Sequence, residues 1–279
     1  MPDRTTAPGP LVSTAWVEER LATEDVRVLD CRWYLRPFDE RNGIDEYRSG
    51  HVPGAVHVRW DTALADPARP HSMVAGPERF AAAMGALGVG DDTFVVTYDD
   101  HHVPVAARVW WALRLYGHDR VAVMDGGITR WRAEGRPLET AVPAVRRATF
   151  TARHRSELYA TKDDVMAAVA AGDVRLFDAR MDSAYDAATG HIPGAVRLVG
   201  LSFLGDGERW ISPDAARERI AAAGGADGTP VIAYCGGGVA ATGLALAFRL
   251  AGLGDVAVYD GSWTEWEADP ATPKVLHGT

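Results

Sequence analysis

Four short runs of this 279-residue chain occur twice, in the same order. Arg27-Val28-Leu29-Asp30 is echoed by Arg175-Leu176-Phe177-Asp178, and GHVPGAV from Gly50 to Val56 returns as GHIPGAV from Gly190 to Val196. VVTYD ending at Asp99 is matched by VIAYC ending at Cys235, and MDGGITRW (Met124 to Trp131) by YDGSWTEW (Tyr259 to Trp266). The offsets, 148, 140, 136 and 135 residues, drift only as loops shorten. Ordered repeats at nearly constant offset mean two copies of one folding unit. The length agrees, because a chain of this size divides naturally into two domains of roughly 130 residues each. The expected division is 1–145 and 146–279. The proline-rich, charged stretch from about Gly135 to Tyr159 reads as the linker, part of it packed along a domain.

Within each copy, short β-rich runs alternate with helical patterns. Thr161 is placed to N-cap a helix through about Ala171, with Asp164 completing a capping box. Ser212-Pro213 opens another helix, with proline at the first helical position, where its missing N–H costs nothing. VRLFD, VIAY (231 to 234) and VAVYD (256 to 260) read as strands. Val239 to Leu250 is apolar nearly all round, as a helix packed on a sheet would be, and the WTEW segment starts a last helix. Strands separated by helices of this length imply right-handed crossovers and mainly parallel sheets covered by helices on both faces. The predicted class is α/β, in two tandem domains.

Composition narrows the function. The net charge of -9 disfavours nucleic acid as the main partner, since phosphate binding needs a surplus of Lys and Arg on one face. No segment approaches the roughly 18 uninterrupted apolar residues of a membrane span, and the polar opening MPDRTTAPGP shows no secretory signal. A cytoplasmic protein is expected, with its two cysteines, Cys31 and Cys235, present as thiols. Neither cysteine sits at metal-ligand spacing, so no metal and no cofactor are expected. The adjacent pair His101 and His102 is read as a solvent-facing loop.

Cys235 is the first residue past a predicted strand; Gly236, Gly237 and Gly238 follow, and then the helix from Val239. Ligands of parallel α/β sheets gather beyond the carboxyl ends of strands, where helices present their N-termini. Glycines there let successive N–H groups converge on one point as an anion nest, which with the helix dipole would favour a thiolate. Cys31 has no glycine loop behind it and reads as core. The spacing G-x-G-x-x-G fails at Ala241, excluding a dinucleotide fingerprint. The same residue stands where a cysteine phosphatase would carry its phosphate-binding arginine, so phosphatase chemistry is disfavoured.

The tandem GH[VI]PGAV segments, the loop CGGGVAAT after VIAY and the closing YDGSWTEW together resemble two-domain sulfurtransferases of the rhodanese and 3-mercaptopyruvate sulfurtransferase type, over about Leu11 to Val275. The resemblance implies an enzyme in which Cys235 attacks the outer sulfur of a small anionic donor and becomes a persulfide. The sulfur then passes to cyanide or to a thiol such as thioredoxin. The amides of Gly236, Gly237, Gly238, Val239 and Ala240 would cradle that persulfide. Cys235 matches Asp99, and the three glycines match Asp100-His101-His102, so the first copy corresponds to the inactive domain. Arg180 corresponds to a substrate-binding arginine of the family.

With no cation after Cys235, the loop is closer to the mercaptopyruvate type than to the thiosulfate type. Two departures weaken that assignment. Gly237 replaces a serine thought to act with an aspartate and a histidine, for which Asp61 and His71 stand in position, and a second substrate arginine is missing between Arg180 and Gly190. These departures leave a sulfur-carrier or interaction protein as the alternative. Asp30, Asp125, Asp178 and Asp260, and Trp131 and Trp266, recur in the copy without the cysteine and are expected to serve the fold.

Overall fold

The repeated runs RVLD, RLFD, VVTYD and VIAYC are rich in Val, Leu, Ile and Tyr, which suit a pleated backbone buried on both faces, and each supplies a short strand. The protein is described by a computed structural model for residues 9–36, 39–69, 73–100, 103–186, 190–205 and 209–276. The first copy contributes β1 (Leu11–Val12), β2 (Val26–Asp30), β3 (Val56–His57), β4 (Phe94–Tyr98) and β5 (Val121–Met124). The second contributes β6 (Tyr159–Ala160), β7 (Arg175–Asp178), β8 (Gly190–His191), β9 (Val196–Arg197), β10 (Val231–Tyr234), β11 (Ala257–Tyr259) and β12 (Val275–Leu276). Two five-stranded sheets result, ordered β1-β5-β4-β2-β3 and β6-β11-β10-β7-β9, with every neighbouring pair parallel. The pair β8 and β12 is separate and antiparallel.

Helix boundaries follow the capping chemistry. Thr161 and Asp164 form the reciprocal capping box ahead of Lys162–Ala171, and Ser212 caps Pro213–Ala222. The apolar helices Val105–Leu115 and Val239–Leu250 pack on β4 and β5 and on β10 and β11, respectively. Trp131 and Trp266 are fully buried, and each donates its indole N–H to a proline carbonyl, that of Pro137 or Pro273. Among the described residues no helix is long and apolar enough to cross a membrane.

Among the described residues, those of 1–64, 75–154 and 206–210 form one compact unit and those of 65–74, 155–205 and 211–279 the other. The stretch read as a linker lies along the first unit: Ala148 N–H donates to Gly85 O at 3.0 Å, Arg153 N–H to Tyr116 O at 2.9 Å, and Phe150 packs on Phe80. Each unit includes a short piece of the other copy, and a repeated aspartate holds it. In the first, Asp125 accepts from Trp210 N–H at 2.9 Å and Arg209 Nε at 3.0 Å; in the second, Asp260 accepts from Val74 N–H at 2.7 Å.

The two other repeated aspartates build a buried network that explains why GH[VI]PGAV occurs twice. Asp30 takes Arg32 Nε at 3.1 Å on both oxygens and Nη2 at 2.6 Å, and Arg32 Nη2 reaches Gly50 O at 3.0 Å. Tyr98 OH donates to Asp30 at 2.5 Å and accepts Val52 N–H at 3.3 Å. The second copy repeats this with Asp178, Arg180, Gly190 O and Ile192 N–H on Tyr234 OH. Burial alone would raise the Asp30 carboxyl, yet the neighbouring His57, Arg32 and Tyr98 hold it below the ordinary aspartate value. Its stabilising contribution is therefore complete at neutral pH and lost as pH falls through its folded value. Removing one partner of such a pair strands a buried charge, so Asp30→Ala is expected to cost about 3–5 kcal/mol in chemical denaturation. A loss below ~1 kcal/mol, the size of a surface pair, would contradict this account.

Candidate active site

In each sheet the chain order reverses between the two middle strands, β2 and β4 in one and β7 and β10 in the other. Crevices of α/β sheets open at such switch points, beyond the carboxyl ends of the strands. Cys235 stands there, one residue past the end of β10, where Tyr234 is in register with Asp178. It is 4% exposed, while Gly236 and Gly237 are half-buried.

Four hydrogen bonds from residues 262–264, just after β11, fix the loop. Cys235 N–H donates to Ser262 Oγ at 3.1 Å and Ser262 Oγ–H donates to Tyr259 O at 2.8 Å, while Trp263 N–H donates to Cys235 O at 2.9 Å. Gly236 O accepts Thr264 N–H at 3.1 Å and Thr264 Oγ1–H at 2.6 Å. Carbonyls are thus tied down on one side, and the N–H groups of Gly236 and Gly237 have no hydrogen-bond partner among the described residues. At the helix entry, the N–H groups of the first turn have no intrahelical partner. The chemistry this geometry offers is retention of a negative charge on or beside sulfur.

The first copy shows the same position holding an anion of its own. Asp99, the counterpart of Cys235, accepts Ala106 N–H at 2.7 Å from the first turn of Val105–Leu115, and its carbonyl takes Ile128 N–H at 2.9 Å. A carboxylate occupies the mouth of that helix where the second copy presents a thiol. His101, His102 and His71 lie outside the described residues; Asp61 accepts Trp33 Nε1–H at 3.0 Å. Cys31 is wholly buried, and burial together with Asp99 and Asp30 pushes its thiol well above the ordinary value, as befits a core residue.

Two of the expected site groups have a setting that the sequence did not convey. Arg180, read as a substrate contact, is 2% exposed and bound to Asp178 and Gly190 O, with its guanidinium between the rings of Tyr185 and Trp263 at 4.9 and 5.0 Å. Only Nη1 lacks a hydrogen bond. Arg32 makes the same bonds in the copy that has no cysteine, so these bonds serve the fold and leave one Nη1 in each copy for any further contact. The glycine run is also less uniform than its sequence suggests. Gly238, at φ 80°, needs the left-handed backbone, whereas a Cβ at Gly236 would meet nothing within 4 Å, and its φ lies outside the left-handed range.

Sequence reasoning did not single out Ser262 or Thr264. The signal was present in the paired motifs DGG and DGS. Ser262 adopts φ 52° and is fully buried, and its counterpart Gly127 adopts the same φ of 52°. A serine accepts that strain where a hydroxyl must hold the cysteine's amide. Ser262→Ala keeps the strain and loses the acceptor, while Ser262→Gly loses both. The glycine variant is expected to be the more stable of the two by about 1 kcal/mol in denaturation. Equal stabilities, or the reverse order, would contradict this reading.

A duplicated parallel α/β unit, with a thiol at the switch point of one copy and a carboxylate at that position of the other, defines the class as a tandem rhodanese-fold protein. The model of the rhodanese-like domain family matches residues 13–134 and again 161–269, and the chain belongs to this family. It is 33% identical to the thiosulfate/3-mercaptopyruvate sulfurtransferase 2 of Arabidopsis thaliana, over 95% of this chain and 86% of that protein. It is 36% identical to the thiosulfate sulfurtransferase of Bos taurus, over 94% of each. The crystal structure of the 3-mercaptopyruvate sulfotransferase SseA from Escherichia coli superposes with a TM-score of 0.84 at 30% identity, covering 91% of this chain and 99% of that one.

Proposed function

We propose that this rhodanese-family chain is a sulfurtransferase that carries sulfur on Cys235. The Cys235 thiolate attacks the outer sulfur of a small anionic donor. With thiosulfate the S–S bond breaks and its electron pair leaves on sulfite. With 3-mercaptopyruvate the C–S bond breaks and the pair leaves as the pyruvate enolate, which takes a proton. Cys235 then holds a persulfide, and a nucleophilic acceptor, cyanide or a small or protein thiol such as thioredoxin, removes its outer sulfur and restores the thiolate. The amides of Gly236 through Ala240 stabilise the anionic forms along this cycle.

The observation that carries this reading is the substitution of a thiol for Asp99 at a position where helix-entry amides already hold a carboxylate. The names of the relatives support sulfur transfer as the reaction and both donors as candidates. The free thiols Cys31 and Cys235 fit a reducing compartment such as the cytoplasm. Mass spectrometry after incubation with each donor is expected to find the protein heavier by one sulfur atom, and Cys235→Ser unmodified. No adduct with either donor, or an adduct that survives the substitution, overturns the proposal.

Donor choice turns on the residues after the cysteine. The absence of a cation there favours mercaptopyruvate, and the open space at Gly236 leaves room for one. Gly236→Arg is expected to fold as the wild type and to raise kcat/KM for thiosulfate relative to mercaptopyruvate by about tenfold, the worth of one charge-assisted hydrogen bond. Arg180→Ala is expected to lower the thermal midpoint without changing the donor ratio. A changed ratio in Arg180→Ala would return that residue to the substrate site. The carrier reading, favoured by Gly237, predicts instead that Cys235 loads but unloads slowly to both cyanide and thioredoxin in steady-state assays.

A further inference from the structure

The first copy carries a feature that the second lacks and that the fold does not require. Asp30 and Gly50 are 20 residues apart, but their counterparts Asp178 and Gly190 are only 12 apart. Both pairs close the same Asp–Arg–Gly network. The longer connection brings three further arginines, Arg36, Arg41 and Arg48, whereas residues 181–189 contain none, and Arg59, three residues past GHVPGAV, has Val199 as its counterpart. The same connection also carries Asp39, Glu40, Asp45 and Glu46, so what distinguishes these arginines is where they face, and they have no structural duty shared by both copies.

These arginines line a cavity of about 660 Å³ in the first unit, together with Arg32 and His57 in its wall. The volume falls in the range of about 300–1,000 Å³ that holds metabolite-sized ligands. Arg41 is neutralised by Asp39 at 2.7 Å and Asp100 at 3.3 Å. The others are not. Arg36 donates only to the Glu40 carbonyl, and Arg48 lies 3.9 Å from an exposed Asp45. The Arg59 guanidinium has no partner among the described residues. Arg32, 1% exposed, leaves Nη1 without a hydrogen bond, 3.9 Å from Glu46, and His57 Nδ1 faces Asp30 at 3.8 Å. The one acid in the wall, Asp61, is engaged by the Trp33 indole.

We propose that this cavity is an anion-binding site for an organic molecule of metabolite size bearing at least two carboxylate, sulfonate or phosphate groups. Arg36, Arg48 and Arg59 supply exposed guanidinium forks, which match oxyanions with paired hydrogen bonds, and Arg32 Nη1 supplies a pre-positioned donor at the inner wall. Every lining residue belongs to the first unit, and the proposal uses no contact with Cys235.

The test is isothermal titration of the full chain at low salt with citrate, a tricarboxylate, and with inorganic pyrophosphate. At least one is expected to bind one-to-one with a Kd below about 1 mM, with affinity falling as salt rises. Citrate as the tighter ligand identifies carboxylate recognition, and pyrophosphate identifies phosphate recognition. Arg36→Gln combined with Arg59→Gln alters exposed residues only and is expected to weaken binding at least tenfold, while Cys235→Ser binds as the wild type. Saturation by neither anion, or equal affinity in the double arginine variant, overturns the proposal. Loss of binding in Cys235→Ser would overturn the proposal and place the anion at the cysteine loop.

Discussion

The buried carboxylate at the end of the second strand of each copy, Asp30 or Asp178, is the contact on which the rest depends. It sits at the switch point of a parallel sheet, at the end of the ladder, and gathers three things that are far apart in sequence. It takes the arginine two residues on, it stands beside the tyrosine of the adjacent strand, and through these two it fixes the GH[VI]PGAV segment. A buried charge of this kind is tolerated only when fully paired, so any drift of strand, tyrosine or loop would be penalised together. That accounts for the persistence of the same residues in both copies although their loops differ in length.

With the framework secured at the middle strands, the next strand end is free to vary. In the first copy it holds Asp99, whose carboxylate is capped by a helix amide, and in the second it holds Cys235. The exchange required adjustment in the turn beside it. Gly127 became Ser262 without a change of φ, so that a hydroxyl could take the cysteine's N–H. Thr264 ties down the next carbonyl, and amides rather than carbonyls remain available to a ligand. The difference between the copy with the carboxylate and the copy with the thiol therefore rests on a few residues at the carboxyl ends of the strands.

Much of this was legible in the sequence because the molecule carries its own comparison. The duplication gave the architecture, the capping residues gave the ends of Lys162–Ala171 and Pro213–Ala222, and the residues shared by both copies were correctly assigned to the fold. The pairing of Arg180 was not legible because a residue's contacts depend on where its guanidinium points, and the FDAR run does not reveal the carboxylate two residues back as its partner. Consistent use of the duplication would have found this, since Arg32 repeats it. The open space at Gly236 and the strain at Ser262 are properties of dihedral angles and neighbours that composition does not encode. The arginine-lined cavity was hidden for a similar reason: its charges come from a segment that reads as an ordinary polar loop.

The central claim is that the loop after β10 holds an anion on sulfur by its amides. The most direct measurement is a crystal structure of the protein after loading with a sulfur donor. The account predicts a second sulfur on Cys235 Sγ, within hydrogen-bonding distance of at least two N–H groups of residues 236–240. An outer sulfur turned away from those amides, or a sulfur bound elsewhere in the chain, would contradict it.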